Sequence, residues 1–139
     1  GHRSRQDCGD IEVLVDPQSG AFDGLAGPLD GVRGRGATPS TNAVRIAAEA
    51  LGWRRQPATV LLLTDGTDSC SADPCRLGWE LGDAQHDVTV HIVDLGIRPE
   101  NVDGVACLAQ ATGGVFLDGW AEDVTEELAA ALGLAIRLL

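Results

Sequence analysis

The run Thr59 to Thr64 (Thr-Val-Leu-Leu-Leu-Thr), halted by Asp65-Gly66, constrains this chain more than any other feature. A strand buried on one face alternates apolar with polar residues. A continuous apolar run instead suits a strand covered on both faces, as in a parallel sheet with helices on either side. Val88 to Leu95 is a second, largely apolar run, and Val115 to Leu117 is a brief third. Ile11 to Val15, aliphatic and β-branched and stopped by Asp16-Pro17, predicts a further strand ahead of them.

Helical patterns separate these runs. Pro39 suits a first helical position with Thr38 as N-cap. Val44, Ala47, Ala48 and Leu51 then fall on one stripe that Gly52 closes. Asp73-Pro74 opens another helix, with Leu77, Leu81 and Ala84 on one side. Val105, Leu108, Ala109 and Thr112 mark a shorter one ended by Gly113-Gly114, and Val124, Leu128, Ala131 and Leu132 stripe the last. A short helix around Phe22 to Leu29 is expected within an otherwise Gly/Pro-rich passage running from Gln18 to Gly36. The order β, α, β, α, β, α, β, α predicts an α/β fold: a doubly wound, mostly parallel, Rossmann-like sheet with helices on both faces. Ligands of such sheets bind beyond the carboxyl ends of the strands, here near Asp65 and Gly96.

Length and charge narrow the function. The chain has 139 residues, 44% of them apolar, which suits a single domain over 1–139. Its formal net charge is −11, and all ten basic residues are arginine. Such a surface repels phosphate backbones, so nucleic acid is not an expected partner, whereas a basic protein or divalent cations would suit it. No apolar run is long enough to span a membrane, and no signal peptide opens the sequence. Methionine is absent even at position 1, as expected of a chain cut from a longer product.

The four cysteines, Cys8, Cys70, Cys75 and Cys107, suit two disulfides and an oxidising, extracytoplasmic compartment. Three pairings are open. Free buried thiols are the alternative. Zinc is less suited, because the nearest pair has no Cys-x-x-Cys spacing. Catalytic signatures are lacking: there is no Gly-x-Ser-x-Gly elbow and no Walker A loop, and Gly31 to Gly36 does not follow the dinucleotide order. His2, His86 and His91 have no ligand-like spacing, and His91 sits in an apolar strand, where a hydrogen-bonded core histidine is the simplest expectation.

Two segments point further. Gly36-Ala37-Thr38-Pro39-Ser40 and Leu63-Thr64-Asp65-Gly66 resemble two of the three motifs of von Willebrand factor A domains. Gly1-His2-Arg3 with Cys8 and Asp10, Asp73-Pro74-Cys75, and the stretch from Cys107 to Gly114 are similar to a bacterial branch of that family. The resemblance implies a non-enzymatic, adhesion-type protein-binding module with a metal-ion-dependent site, usually holding Mg²⁺, at the top of the sheet. By that resemblance Thr38 and Asp65 are the metal ligands. A hard cation takes oxygen donors, keeps waters, and leaves a position open for an acidic side chain of a protein ligand.

The chain also departs from the family. No Asp-x-Ser-x-Ser motif precedes Thr38, so the expectation is an N-terminally truncated domain lacking the first strand, the first helix and most of the second strand. Within this chain the cation site is then incomplete, and strand edges stand open beside Thr59–Thr64. The readings held against the binding module are a degenerate structural domain without a metal site and, more distantly, a hydrolase-like α/β enzyme using Asp65. Thr38 is also a natural helix cap and Asp65-Gly66 an ordinary turn. Asp68, Ser69 and Asp73 share the Asp65 loop, where solvated loop residues are the default expectation.

Overall fold

A computed structural model describes residues 7–17, 26–30, 36–83 and 87–133. Among these residues three parallel strands form a sheet: β1 (Ala58–Thr64), β2 (Val88–Asp94) and β3 (Phe116–Asp118), in spatial order β1-β2-β3. Ala58 lies opposite Val88 and Thr64 opposite Asp94, while Val93 aligns with Leu117. Helices α1 (Ala26–Asp30), α2 (Ser40–Ala50), α3 (Pro74–Leu81), α4 (Asp103–Ala111) and α5 (Val124–Ala131) accompany the sheet, with one 3₁₀ turn at Pro99–Asn101. The α/β class expected from the sequence is thus present, as a small parallel sheet flanked by helices. Residues 22–25 of the expected early helix, and Ala84 of the α3 stripe, lie outside the described residues.

The core forms on one sheet face. Val60, Val90 and Ile92 meet Val44 and Ala48 of α2, Leu77 and Leu81 of α3, and Leu108 of α4. α3 and α4 approach closely because Gly78 and Gly82 face Ala111; a Cβ at Gly78 would lie 2.9 Å from the Ala111 Cβ. The Cys75–Cys107 disulfide joins the same two helices. β3 reaches β2 only because residue 114 has no side chain: a Cβ at Gly114 would collide with the Val90 carbonyl oxygen. Beyond that contact Ile92 N–H donates to the Val115 carbonyl at 2.9 Å.

Three sequence expectations need correction. Ile11–Val15 is not a strand; its backbone lies outside the sheet, with Val13 and Leu14 half exposed. β-forming residues stabilise a strand only through a paired neighbour, and β1, the nearest candidate, pairs only with β2 among the described residues. Nor is β1 covered on both faces. Ala58, Val60 and Thr64 are buried, but Thr59 and Leu63 on the other face are exposed. Double coverage belongs to the central strand β2, where Val90 to Val93 are all buried.

The third correction concerns Thr38. Helix α2 starts at Ser40 with Pro39 at the N-cap, and no side chain of that residue can cap. Thr38 stands one residue further out because its backbone is used elsewhere: its N–H donates to Ser69 Oγ at 2.7 Å and its carbonyl accepts from Ser69 N–H at 3.0 Å. The C-terminal end follows expectation, with Gly52 at φ +70° just beyond Leu51.

Candidate functional site

All three strands end on one edge, and their turns are built by the terminal side chains. Thr64 Oγ1 donates to the Gly66 carbonyl at 2.8 Å and accepts from Gly66 N–H at 3.3 Å, folding the chain sharply at Asp65. Asp94 Oδ1 accepts from Gly96 N–H at 2.7 Å and Ile97 N–H at 2.5 Å. Asp118 Oδ1 accepts from Trp120 N–H at 2.9 Å. These are turns in which a short side chain takes the place of a backbone acceptor. Leu95 and Trp120, exposed at 38% and 77%, follow the ends of β2 and β3.

The loop from Asp65 to Asp73 then crosses to the start of α2 and grips it. Asp68 Oδ2 accepts from Thr41 N–H at 2.9 Å, and Oδ1 accepts from Cys70 N–H at 2.7 Å. Thr41 occupies the second position of α2, so Asp68 supplies in trans the cap that Pro39 cannot. Partial burial works against a charged Asp68. It is outweighed by the N–H groups of Thr41, Cys70 and Ala72, which hold the carboxyl below its ordinary range. A negative charge at a helix N-terminus is favoured for the same reason. Ser69 closes the clamp through its paired hydrogen bonds with Thr38. The loop next passes through Ser71 at φ +58° and ends at Asp73, which caps α3 by accepting from Arg76 N–H at 3.1 Å.

Thr38 and Asp65 are therefore exposed on two loops that Asp68 and Ser69 bind together. In the sequence Asp68 and Ser69 show only a place in the Asp65 loop, where residues that tune the local field or contact a partner compete with the default of solvated ones. Their only signal was the shared loop, because their partners lie 27 and 31 residues away. Trp120 was also missed; its signal was the Asp118-Gly119 turn, which throws the next side chain outward.

Mg²⁺ takes about six oxygen donors in octahedral array. Thr38 and Asp65 offer a hydroxyl and a carboxylate of the right chemistry, whereas both oxygens of Asp68 are committed to N–H donors. Among the described residues no three His, Cys, Asp or Glu side chains are grouped to hold a metal. Thr38 and Asp65 by themselves would amount to two of about six donors.

Other polar groups lie apart from this edge. His91 is buried on β2, its Nδ1 accepting from Val115 N–H at 3.2 Å, and burial pushes its pKa down. His2 and His86 lie outside the described residues, as does most of Gly31 to Gly36. An open groove of about 630 Å³ between β3 and α5, lined by residues such as Phe116 and Glu127, includes none of the clamp residues. Cys8–Cys70 anchors residues 7–17 to the clamp loop, and Cys75–Cys107 braces the helices behind it. Two disulfides fit an oxidising, extracytoplasmic compartment, and no described helix is long and apolar enough to cross a membrane. No protein-family model matches the chain, and neither the curated proteins nor the solved structures give a match.

Proposed function

We propose that this chain is a non-enzymatic protein-binding module of the von Willebrand factor A type, working outside the cytoplasm, with the clamped loops at the carboxyl edge of the sheet as its binding face. The observation that carries this reading is the Asp68 and Ser69 clamp. It fixes the loop of Thr38 against the loop of Asp65 while leaving both residues exposed. A braced frame around exposed oxygen donors suits a recognition surface, since loops held by a scaffold commonly carry binding.

Trp120, exposed after β3 at the same carboxyl edge of the sheet, supports the same reading, because aromatic side chains are enriched at protein interfaces. On this proposal Thr38 and Asp65 contribute oxygens to a divalent cation such as Mg²⁺. Water and an acidic side chain of the partner supply others. The cation's role is to offer an electrophilic point for that carboxylate.

Calorimetric titration with Mg²⁺ and Mn²⁺ tests the assignment. Because Thr38 and Asp65 supply only two of about six donors, binding by this chain alone should be weak, and Asp65→Ala or Thr38→Ala should weaken it tenfold or more without altering the fold. Equal affinity in the parent and both variants would sink the cation site and leave the degenerate structural module.

A further inference from the structure

The two disulfides differ in what holds their cysteines together when the bond is open. All four cysteines are half-buried, so access alone does not rank them. Cys75 and Cys107 sit on α3 and α4, which pack through Gly78 and Gly82 against Leu108 and Ala111 and contribute Leu77, Leu81 and Leu108 to the core. Helices fixed in that way keep two thiols at high effective concentration, and the bond re-forms readily.

Cys8 sits in a different setting. Its segment makes tight local turns, with Asp10 N–H bonding the Asp7 carbonyl and Ile11 N–H the Gly9 carbonyl. Asp10 and Glu12 make further polar interactions, but among the described residues no backbone–backbone hydrogen bond joins 7–17 to the rest of the fold. Cys70, its partner, lies in the clamp loop, and its own N–H is one of the two that Asp68 holds.

We infer that Cys8–Cys70 is a redox latch on the candidate binding face: it opens before Cys75–Cys107, and its opening loosens the Asp68–Ser69 clamp that fixes Thr38 against the Asp65 loop. The co-reactant is an external dithiol. One of its thiolates attacks a latch sulfur, breaking the S–S bond and forming a mixed disulfide. Its second sulfur then displaces the protein sulfur and the reagent leaves as a disulfide. Two electrons and two protons pass to Cys8 and Cys70, which become thiols. With the tether gone, the loop keeps the Asp68 and Ser69 hydrogen bonds to Thr41 and Thr38 but loses its covalent brace, and the left-handed backbone of Ser71 has less to maintain it.

That these loops are a binding face rests on the reading above. The test uses neither ion nor partner, so a failed latch and a failed cation site are distinguishable. The protein is equilibrated in graded dithiothreitol redox buffers, free thiols are alkylated, and each cysteine pair is quantified by mass spectrometry. Amide hydrogen exchange at Thr41, Ser69 and Cys70 is followed in the same samples. Cys8–Cys70 should open with an equilibrium constant at least tenfold larger, which is about 30 mV for a two-electron couple. Exchange at the three amides should rise at least tenfold at that step, while α4 stays protected. A Cys8→Ser/Cys70→Ser variant should show the same fast exchange without reductant. Opening of Cys75–Cys107 first, simultaneous opening of both, or unchanged exchange at Thr41 and Cys70 once the latch is open would each overturn the inference.

Discussion

Replacing Asp68 by Ala removes one carboxylate that serves two backbone donors in different elements. The Thr41 bond is a helix cap, and such a loss costs about 1 kcal/mol. The Cys70 bond is charge-assisted and sits in a partly buried loop, for which about 1–2 kcal/mol is reasonable because water can reach part of the site. Together Asp68→Ala should cost about 2–3 kcal/mol, a fall of roughly 1–1.5 M in the urea midpoint for a slope near 2 kcal/mol per M. Asp65→Ala, at an exposed carboxylate, should cost less than about 0.5 kcal/mol and serves as the control.

The pH dependence separates charge from shape. Asp68 is held below its ordinary pKa in the folded protein, so its contribution is complete above the unfolded value of about 3.9 and is lost as pH falls through the folded value. Urea unfolding of parent and Asp68→Ala between pH 7 and pH 3 should therefore show a gap that is flat down to about pH 5 and closes below about pH 4. A gap under about 0.5 kcal/mol at pH 7 would refute the clamp. A gap that widened on acidification would refute the charge as its source.

Two other perturbations probe the sheet behind the clamp. Burial lowers the His91 pKa, so the unfolded chain takes up a proton first. Stability should fall as pH drops below about 6.5, and His91→Gln should flatten that slope in denaturant titrations between pH 7 and pH 5. Gly114→Ala drives a methyl into the Val90 carbonyl and should cost about 2–3 kcal/mol. Gly104→Ala, which meets open space in the first turn of α4, should be neutral or stabilising by up to about 1 kcal/mol. Matching melting temperatures for these two glycine variants would contradict the β2–β3 packing.

What was legible in the sequence was whatever depends on neighbours a few residues away. Thr59–Thr64 as a strand, though not its coverage on both faces, the Val44–Ala48 stripe and the Asp73-Pro74 start all read correctly, because periodicity and capping are local. The Asp73 cap holds with its own helix. The Thr38 cap failed for the converse reason. Its backbone is claimed by Ser69, and the acceptor for α2 comes from Asp68, 27 residues downstream of Thr41. Ile11–Val15 failed likewise, since strand propensity is a statement about a partner that local sequence does not name. The cysteine pairing was undetermined because four cysteines allow three pairings, and only the packing of α3 on α4 brings Cys75 to Cys107.

The same division bears on how the candidate face must be tested. Thr38 and Asp65, the residues a motif can flag, are exposed, and among the described residues their side chains make none of the hydrogen bonds that shape the clamp. Asp68 and Ser69, which a motif passes over, bear the geometry. Loss of binding in an Asp68 or Ser69 variant would therefore report loop displacement as readily as lost contact. Loss in Asp65→Ala, with amide protection at Thr41 and Cys70 unchanged, can only report the exposed carboxylate itself. A ligand measured against that pair of variants distinguishes a residue that touches the partner from one that holds the surface in place.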